Sequence, residues 1–233
     1  METTVQDPKR SAGRRAAEMV ENGMTVGLGT GSTVWFTLER LGERIAEEGL
    51  ELRGVPTSRD TEGKARELGL DLVGLGDVSE IDLTIDGADE IDGAFRMIKG
   101  GGGALLREKV VAAMSRREVI VVGANKVVER LGTTFMLPVE VVPFARPAVL
   151  RSLVDLGCEP IVRQAGPEAA FRTDNGNEIV DCRFPEGIAE PEALEAALAA
   201  IPGVVESGLF IGLAHAVVIG TEDGGCEVRE RDS

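Results

Sequence analysis

Short apolar runs alternate with helix-patterned segments along the first half of the chain, and this alternation limits the folds open to it. Thr25–Gly29, Leu50–Pro56, Leu70–Gly74, Ile81–Ile85 and Glu118–Gly123 read as strands, all short, with Ile81–Ile85 and Glu118–Gly123 rich in β-branched residues. Between them, Ser11–Glu21, the stretch from Gly29 to Glu48, Thr57–Leu68 and Ala104–Ser115 carry helical periodicity. Strands separated by helices predict an α/β fold with a doubly wound, mostly parallel sheet. After Leu131 the texture changes to strands at Leu137–Val142, Cys158–Gln164 and Phe171–Arg183, with helices at Pro147–Leu156 and Pro191–Ala200. Asp174-Asn-Gly-Asn177 is a hairpin turn signal. This β-α-β-β-α order fits a smaller α+β domain of ferredoxin-like type. Two apolar runs, Val204–Leu213 and Ala216–Gly220, are expected to return to the first sheet. The expected division is therefore a Rossmann-like catalytic domain over 1–132 plus 205–233, and an inserted domain over 133–204.

Charge narrows the function. Asp+Glu 40 against Lys+Arg 25 gives a formal net charge of −15, which disfavours nucleic acid or an anionic membrane as the main partner. There are few lysines (Lys9, Lys64, Lys99, Lys109 and Lys126), while arginine is common. Excess acid with little lysine suits work in high salt, where self-repulsion is screened; an ordinary acidic enzyme fits equally well. Cys158, Cys182 and Cys226 are an odd number with no metal-type spacing, which fits reduced cytosolic thiols. The start, Met1–Arg10, is polar and has no apolar leader core. Gly208–Gly220 is too short to span a bilayer. A cytoplasmic location is expected.

Three groups carry chemistry. Gly29-Thr30-Gly31-Ser32-Thr33 joins a strand to a helix, where free amides, hydroxyls and the helix dipole suit a phosphate. A dinucleotide fingerprint fits less well: Ser32 stands where its third glycine belongs, and no acid ends the next strand. Asp86-Gly87-Ala88-Asp89-Glu90 ends the Ile81–Ile85 strand and delivers carboxylates to the carboxyl edge of the sheet. Crowding of these acids favours a raised pKa and proton transfer. Glu90 reads as a turn cap and Asp92 as a turn residue; a magnesium site is a further reading, without a nucleotide motif to support it. Lys99-Gly100-Gly101-Gly102-Gly103 then offers an ammonium for a developing oxyanion and a backbone that approaches an anion closely.

Glu108 shares a helix face with Ala104 and Leu105. It is either a partly desolvated general base or a solvent-facing partner of Arg107 or Lys109. Lys126, after the Glu118–Gly123 strand, reaches another sheet edge and suits a phosphate; Lys9 is a weaker candidate. His215, between apolar strands, reads as structural.

With these motifs in place, the chain resembles ribose-5-phosphate isomerase of type A. The resemblance rests on Gly27–Thr33, Asp86–Glu90 and Lys99–Lys109, extended by Leu137–Pro143, Thr173–Asn177, Ile201–Val205 and Gly208–Phe210. It covers nearly the whole length and departs from the family pattern in carrying Asn125 directly before Lys126. It implies interconversion of D-ribose 5-phosphate and D-ribulose 5-phosphate through a cis-enediolate, with no metal or organic cofactor, in a homodimer or homotetramer. It further implies that Glu108 is the base, that Asp86 assists ring opening and hydroxyl proton transfer, and that Asp89 and Lys99 hold the reacting oxygens. Thr30, Gly31, Ser32 and Thr33 would bind substrate, as would Gly87, Ala88 and Gly100–Gly102, with Lys126 and Lys9 toward the phosphate. An aminosugar-phosphate deaminase or a phosphogluconolactonase is the nearest rival enzyme, but a deaminase would place a histidine in the site and the lone histidine lies far from these motifs; a non-catalytic sugar-phosphate sensor would carry a basic DNA-binding segment and would not need Glu108 and Lys99.

Overall fold

The computed structural model describes residues 7–167 and 169–231, so the first six residues of the segment read as lacking a leader lie outside it. In chain order its main elements begin with α1 (Pro8–Ala17), β1 (Thr25–Leu28), α2 (Ser32–Glu48), β2 (Arg53–Pro56), α3 (Arg59–Glu67) and β3 (Leu83–Asp86). There follow β4 (Glu90–Ile91), β5 (Met97–Ile98), α4 (Leu105–Ala113), β6 (Glu118–Gly123), β7 (Leu137–Val141), α5 (Arg146–Asp155) and β8 (Glu159–Val162). The remainder is β9 (Gln164–Gly166), β10 (Ala169–Ala170), β11 (Glu178–Arg183), α6 (Pro191–Ala199), β12 (Val204–Ser207), β13 (Leu209–Phe210), β14 (Ala216–Gly220) and β15 (Cys226–Glu230).

By their contacts the residues fall into two compact units, one of 1–87, 107–126 and 213–233, the other of 88–106 and 127–212. The sequence boundaries placed 88–106 with the larger domain; here it groups with the second unit, because β5 pairs with β13 and Ile91 bridges Val127.

The first unit holds a six-stranded sheet in the order β15-β14-β6-β3-β1-β2, parallel except at β15. Every residue of β1, β3, β6 and β14 is buried, which is why these strands read as continuous apolar runs rather than alternating ones. Burying each Val or Ile of β6 is worth about 1.5–3 kcal/mol. Ala12, Ala16 and Ala17 of α1 and Val34, Leu38 and Leu41 of α2 pack with Val119, Val121 and Val218 on one face of the sheet. Val111 of α4 packs with Val55 and Ile81. The chain leaves β1 toward β2 and leaves β3 toward β6, so the order reverses between β1 and β3. A parallel sheet opens a crevice at the carboxyl ends of such a pair. Leu70–Gly74, expected as a strand, makes only a single bridge, from Leu72 to Gly54.

The second unit contains the four-stranded antiparallel sheet β12-β7-β11-β8 with α5 and α6, a βαββαβ arrangement of ferredoxin-like type. Its sixth element corrects the expectation for Val204–Leu213. Val204–Ser207 pairs antiparallel with β7, and Leu209–Phe210 pairs with β5, so neither joins the large sheet. Apolar content alone cannot choose between two sheets that both offer an open edge. The turn at Asp174–Asn177 forms, with the Gly176 amide donating to the Thr173 carbonyl (2.9 Å) and Gly176 in the left-handed region. It is anchored on buried Glu140, whose Oε1 accepts from the Thr173 hydroxyl (3.0 Å) and from the Asn177 amide nitrogen (2.8 Å). Cys158 and Cys182, 24 positions apart, are both free and buried; their thiols donate to the carbonyls of Leu153 (3.3 Å) and Val180 (3.9 Å), and the nearby Cys158 sulfur together with burial pushes the Cys182 thiol up. Among the described residues no helix is long and apolar enough to cross a membrane.

Candidate active site

In the first unit, parallel pairing of Leu28 with Ile85 sets the ends of β1 and β3 side by side. Gly29 therefore lies against Asp86, and a Cβ on residue 29 would overlap the carboxylate. Asp86 is fully buried, and its Oδ1 accepts from the Thr30 amide (3.0 Å) and the Gly87 amide (2.7 Å). Two backbone donors on one oxygen hold a carboxylate at a set angle in a low-dielectric place. The first glycine turn and the DGADE strand end, read separately in the sequence, thus meet through these bonds.

The turn itself divides. Gly31, with φ 121°, caps α2 and lies exposed beside Ser32. The Lys9 ammonium, carried near the start of α1, donates to the Ser32 hydroxyl at 3.1 Å. Here a cation, an exposed hydroxyl and the N-terminus of a 17-residue helix come together, a combination that attracts an anion. The Thr30 hydroxyl faces elsewhere. It bonds with Thr57 (2.8 Å), Ser58 (2.8 Å) and Thr61 (3.1 Å), which come from the loop after β2 and from α3. Sequence reasoning assigned these three hydroxyls no part in a site; Ser58 also caps α3, its hydroxyl accepting from the Thr61 amide (3.1 Å). Thr33 is half-buried in the first turn of α2, and Lys126 is half-buried on the turn after β6.

Glu108 lies on α4 among the buried positions Leu105, Val111 and Ala112, and is 5% exposed. The reading of it as a solvent-facing partner of its neighbours does not hold. His215 precedes β14, and its Nδ1 accepts from the Glu118 amide (3.0 Å). Burial, with the cations of Arg231 and Arg117, pushes it below the usual histidine value.

In the second unit, Glu90 pairs with Ile98 in register, which places Asp89 and Lys99 side by side beyond the end of the pairing. The Asp89 amide donates to the Ile98 carbonyl (2.8 Å) and the Lys99 amide to the Gly208 carbonyl (2.9 Å). Lys99 is 2% exposed, with its ammonium 5.2 Å from the centroid of Phe210, an aromatic face that stabilises a desolvated cation. Asp89 Oδ2 accepts from the Gly101 amide (2.8 Å). Gly100 and Gly103 have φ of 101° and 78°, and the Gly103 amide donates to the Gly100 carbonyl (2.9 Å). The tetraglycine run is thus a tight turn whose geometry requires glycine at both ends, with Gly101 and Gly102 exposed. Ala88 is half-buried between Gly87 and Asp89.

Glu90 is fully buried, and its carboxylate accepts from the amides of Gly132 (2.5 Å), Thr134 (2.5 Å) and Phe135 (2.7 Å). It clamps a loop, as its reading as a cap anticipated. Asp92 likewise shapes its turn, accepting from the Ala94 and Arg96 amides.

The candidates are therefore shared between the units. Lys9, Thr30–Thr33, Asp86, Gly87, Glu108 and Lys126 belong to the first, and Ala88, Asp89, Lys99 and Gly100–Gly102 to the second. Among the described residues no group of three or more His, Cys, Asp and Glu side chains is placed to hold a metal ion. A cavity of about 460 Å³ beside Ile45, Leu50, Leu52 and Arg53 lies at the opposite, N-terminal edge of the parallel sheet.

An anion-receptive glycine turn beside a buried carboxylate, at the switch point of a parallel sheet, defines a class of α/β proteins suited to small phosphorylated ligands. Residues 53–224 match the family model of ribose 5-phosphate isomerase A (phosphoriboisomerase A). The chain belongs to that family. It is 54% identical to the ribose-5-phosphate isomerase A of Gloeobacter violaceus, over 94% of each chain. Its structure resembles that of ribose 5-phosphate isomerase A from Methanocaldococcus jannaschii, with a TM-score of 0.91, 37% identity and coverage of 96% of this chain and 98% of that one. A D-ribose-5-phosphate isomerase solved in complex with phospho-erythronic acid is similar to the same degree, with a TM-score of 0.92, 35% identity and coverage of 96% and 98%.

Proposed function

We propose that the protein carries out its family's reaction, the interconversion of D-ribose 5-phosphate and D-ribulose 5-phosphate, and that four side chains divide the work. Glu108 takes the proton from C2 of the open-chain aldose. The electron pair moves into a cis-enediolate, and Glu108 returns the proton at C1 to give the ketose. Asp86 assists ring opening and moves the hydroxyl proton between the two oxygens. Asp89 and Lys99 hold those oxygens, and the ammonium offsets the negative charge that exists only along the reaction path, where such an interaction lowers the barrier. The exposed turn at Gly31 and Ser32, with Thr33, Lys9 and Lys126, takes the phosphate, while Thr30, whose amide is held by Asp86, shapes the turn.

The observation that carries this reading is the burial of Lys99 and Glu108, 2% and 5% exposed, in a chain of this family. Charged side chains are almost never so buried unless paired or used. The phospho-erythronic acid complex of a related isomerase supports a sugar phosphate as ligand. The assignment of a Rossmann-like catalytic domain and a small inserted domain, a cytoplasmic location and a homodimer or homotetramer belong to the same proposal. Light scattering reads the assembly directly.

Purified protein, assayed with EDTA present, is expected to interconvert the two pentose phosphates and to exchange the C2 proton in deuterium oxide. Glu108→Gln should lower kcat by roughly 100-fold or more. Near-wild-type turnover in that variant would remove Glu108 from its role.

A further inference from the structure

Arg163 joins β8 to β9 and takes no part in the four roles above. Its guanidinium is nonetheless tied at every side. Nε donates to Asp181 Oδ2 (2.9 Å) and Nη2 to Asp181 Oδ1 (2.5 Å), a bidentate pair on the central strand β11. The two side chains are only 16% and 12% exposed. With those donors taken, Nη1 projects to the glycine turn and donates to the carbonyls of Gly100 and Gly101, both at 3.0 Å. The guanidinium carbon lies 5.7 Å from the centroid of Phe171, and the Phe171 ring fills the space that a side chain on Gly103 would need.

We propose that Arg163 is a positioning residue for the isomerisation, acting through the turn that follows Lys99. The turn is held by opposite charges on its two kinds of polar group. A cation takes the carbonyls of Gly100 and Gly101, while Asp89 takes the amide of Gly101. The two carbonyls point at Arg163, and this sets where the peptide planes between Gly100 and Gly102 lie, the first of which carries the Gly101 amide that Asp89 accepts from. Those planes set the Asp89 carboxylate and the departure of the Lys99 backbone. Glycine brings no side chain to fix its own path, so a run of four would otherwise sample many conformations. Arginine suits this task where lysine would not, because its planar fork grips a carboxylate and two carbonyls at once. Asp181 holds the fork in place.

The inference rests on the roles of Asp89 and Lys99 proposed above, and its test separates the two. If the wild-type protein does not interconvert the pentose phosphates, the functional reading itself fails. If it does, Arg163→Met should lower kcat by about 10- to 100-fold, the range that a small misplacement of reacting groups produces. KM should stay within about threefold, since the phosphate end of the site belongs to other residues. Added guanidinium chloride at low millimolar concentration should restore part of the lost turnover in Arg163→Ala, while methylammonium should not. Arg163→Lys should remain impaired. Asp181→Asn should reproduce the kcat loss in milder form and serves as the second variant if Arg163→Met does not fold. Arg183→Met, which removes only an exposed pair with Glu159, should behave as wild type. Turnover within twofold of wild type in Arg163→Met and Asp181→Asn overturns the inference. So does a loss shared equally by kcat, KM and melting temperature with no guanidinium rescue, which is the signature of a merely structural residue.

Discussion

Gly29 and Asp86 sit at neighbouring register positions at the carboxyl ends of β1 and β3, so closely that the carboxylate occupies the space a side chain on residue 29 would need. The glycine of the phosphate-type turn is thus required by the acid of the next motif, not only by the turn. A short contact of this kind brings two loops far apart in sequence together at one edge of the sheet.

From this contact, Gly29→Ala should displace Asp86 or β1. Overpacking of a well-filled site costs about 1–3 kcal/mol, and a shifted Asp86 should lower kcat at least tenfold if its role is as proposed. Gly63 provides the contrast: it lies inside α3 with open space around it. Gly63→Ala should stabilise by roughly 0.5–1 kcal/mol through helix propensity. Urea unfolding of the two variants, with kcat measured alongside, checks both; equal stability in the pair would contradict the steric argument.

Lys9 and Ser32 meet at 3.1 Å at the start of α2. If this corner takes the substrate phosphate, Lys9→Ala should raise KM several-fold and leave kcat within about twofold. Binding energy remote from the reacting carbons is lost from ground and transition states alike. Inorganic phosphate should also inhibit Lys9→Ala less strongly than wild type. An unchanged KM and inhibition constant would place the phosphate elsewhere.

His215 gives a pH prediction with a definite sign. Burial, then Arg231 and Arg117, lower its folded-state pKa below 6.5. The unfolded chain therefore binds this proton more readily than the folded one, and stability is greatest above the unfolded pKa and falls as pH drops through it. The Nδ1 lone pair that accepts from the Glu118 amide is available only in the neutral form. The urea midpoint should be lower at about pH 5.5 than at about pH 7.5, and His215→Gln should shrink that difference. Equal pH dependence in the variant would show that other groups carry it.

Salt should stabilise this protein. On α1 and α2, Arg40 bonds Glu18 (2.6 Å) and Glu48 (2.6 Å), and Arg14 bonds Glu43 (2.7 Å). These separations are short even against the Debye length of about 3 Å at molar ionic strength, whereas repulsion within a net charge of −15 acts over longer distances. Screening therefore removes more repulsion than attraction. The melting temperature is expected to rise by several degrees between low and molar KCl, and a flat or falling curve would argue against salt adaptation.

Several features were legible because local chemistry is enough to specify them. The helix from Ser32 to Glu48, the strand Glu118–Gly123, the glycine turn after β1 and the acids closing β3 each declare themselves through periodicity or a residue type with one strong conformational use. Other features were not legible. Leu70–Gly74 has strand composition but makes one bridge, because strand pairing depends on a partner that no local pattern reports. Val204–Ser207 is apolar enough for either sheet and joined the small one. The three hydroxyls around Thr30 lie 27 to 31 positions from it, and the Arg163 fork lies 62 and 63 positions from the glycine carbonyls it holds, and nothing nearby in sequence marks them.

The sequence by itself determined the class of sheet, the family and which carboxylates and lysine reach a sheet edge. These follow from short-range patterns: the period of burial, the conformational freedom of glycine and the charge of a loop. Only the tertiary structure decided that Glu108 is buried, that the Thr30 amide holds Asp86, that Thr30 turns its hydroxyl toward Thr57, Ser58 and Thr61, and that Arg163 pins the tetraglycine turn. The reason is that hydrogen bonding and desolvation act between groups brought together by strand order, and strand order is a property of the whole chain rather than of any window within it.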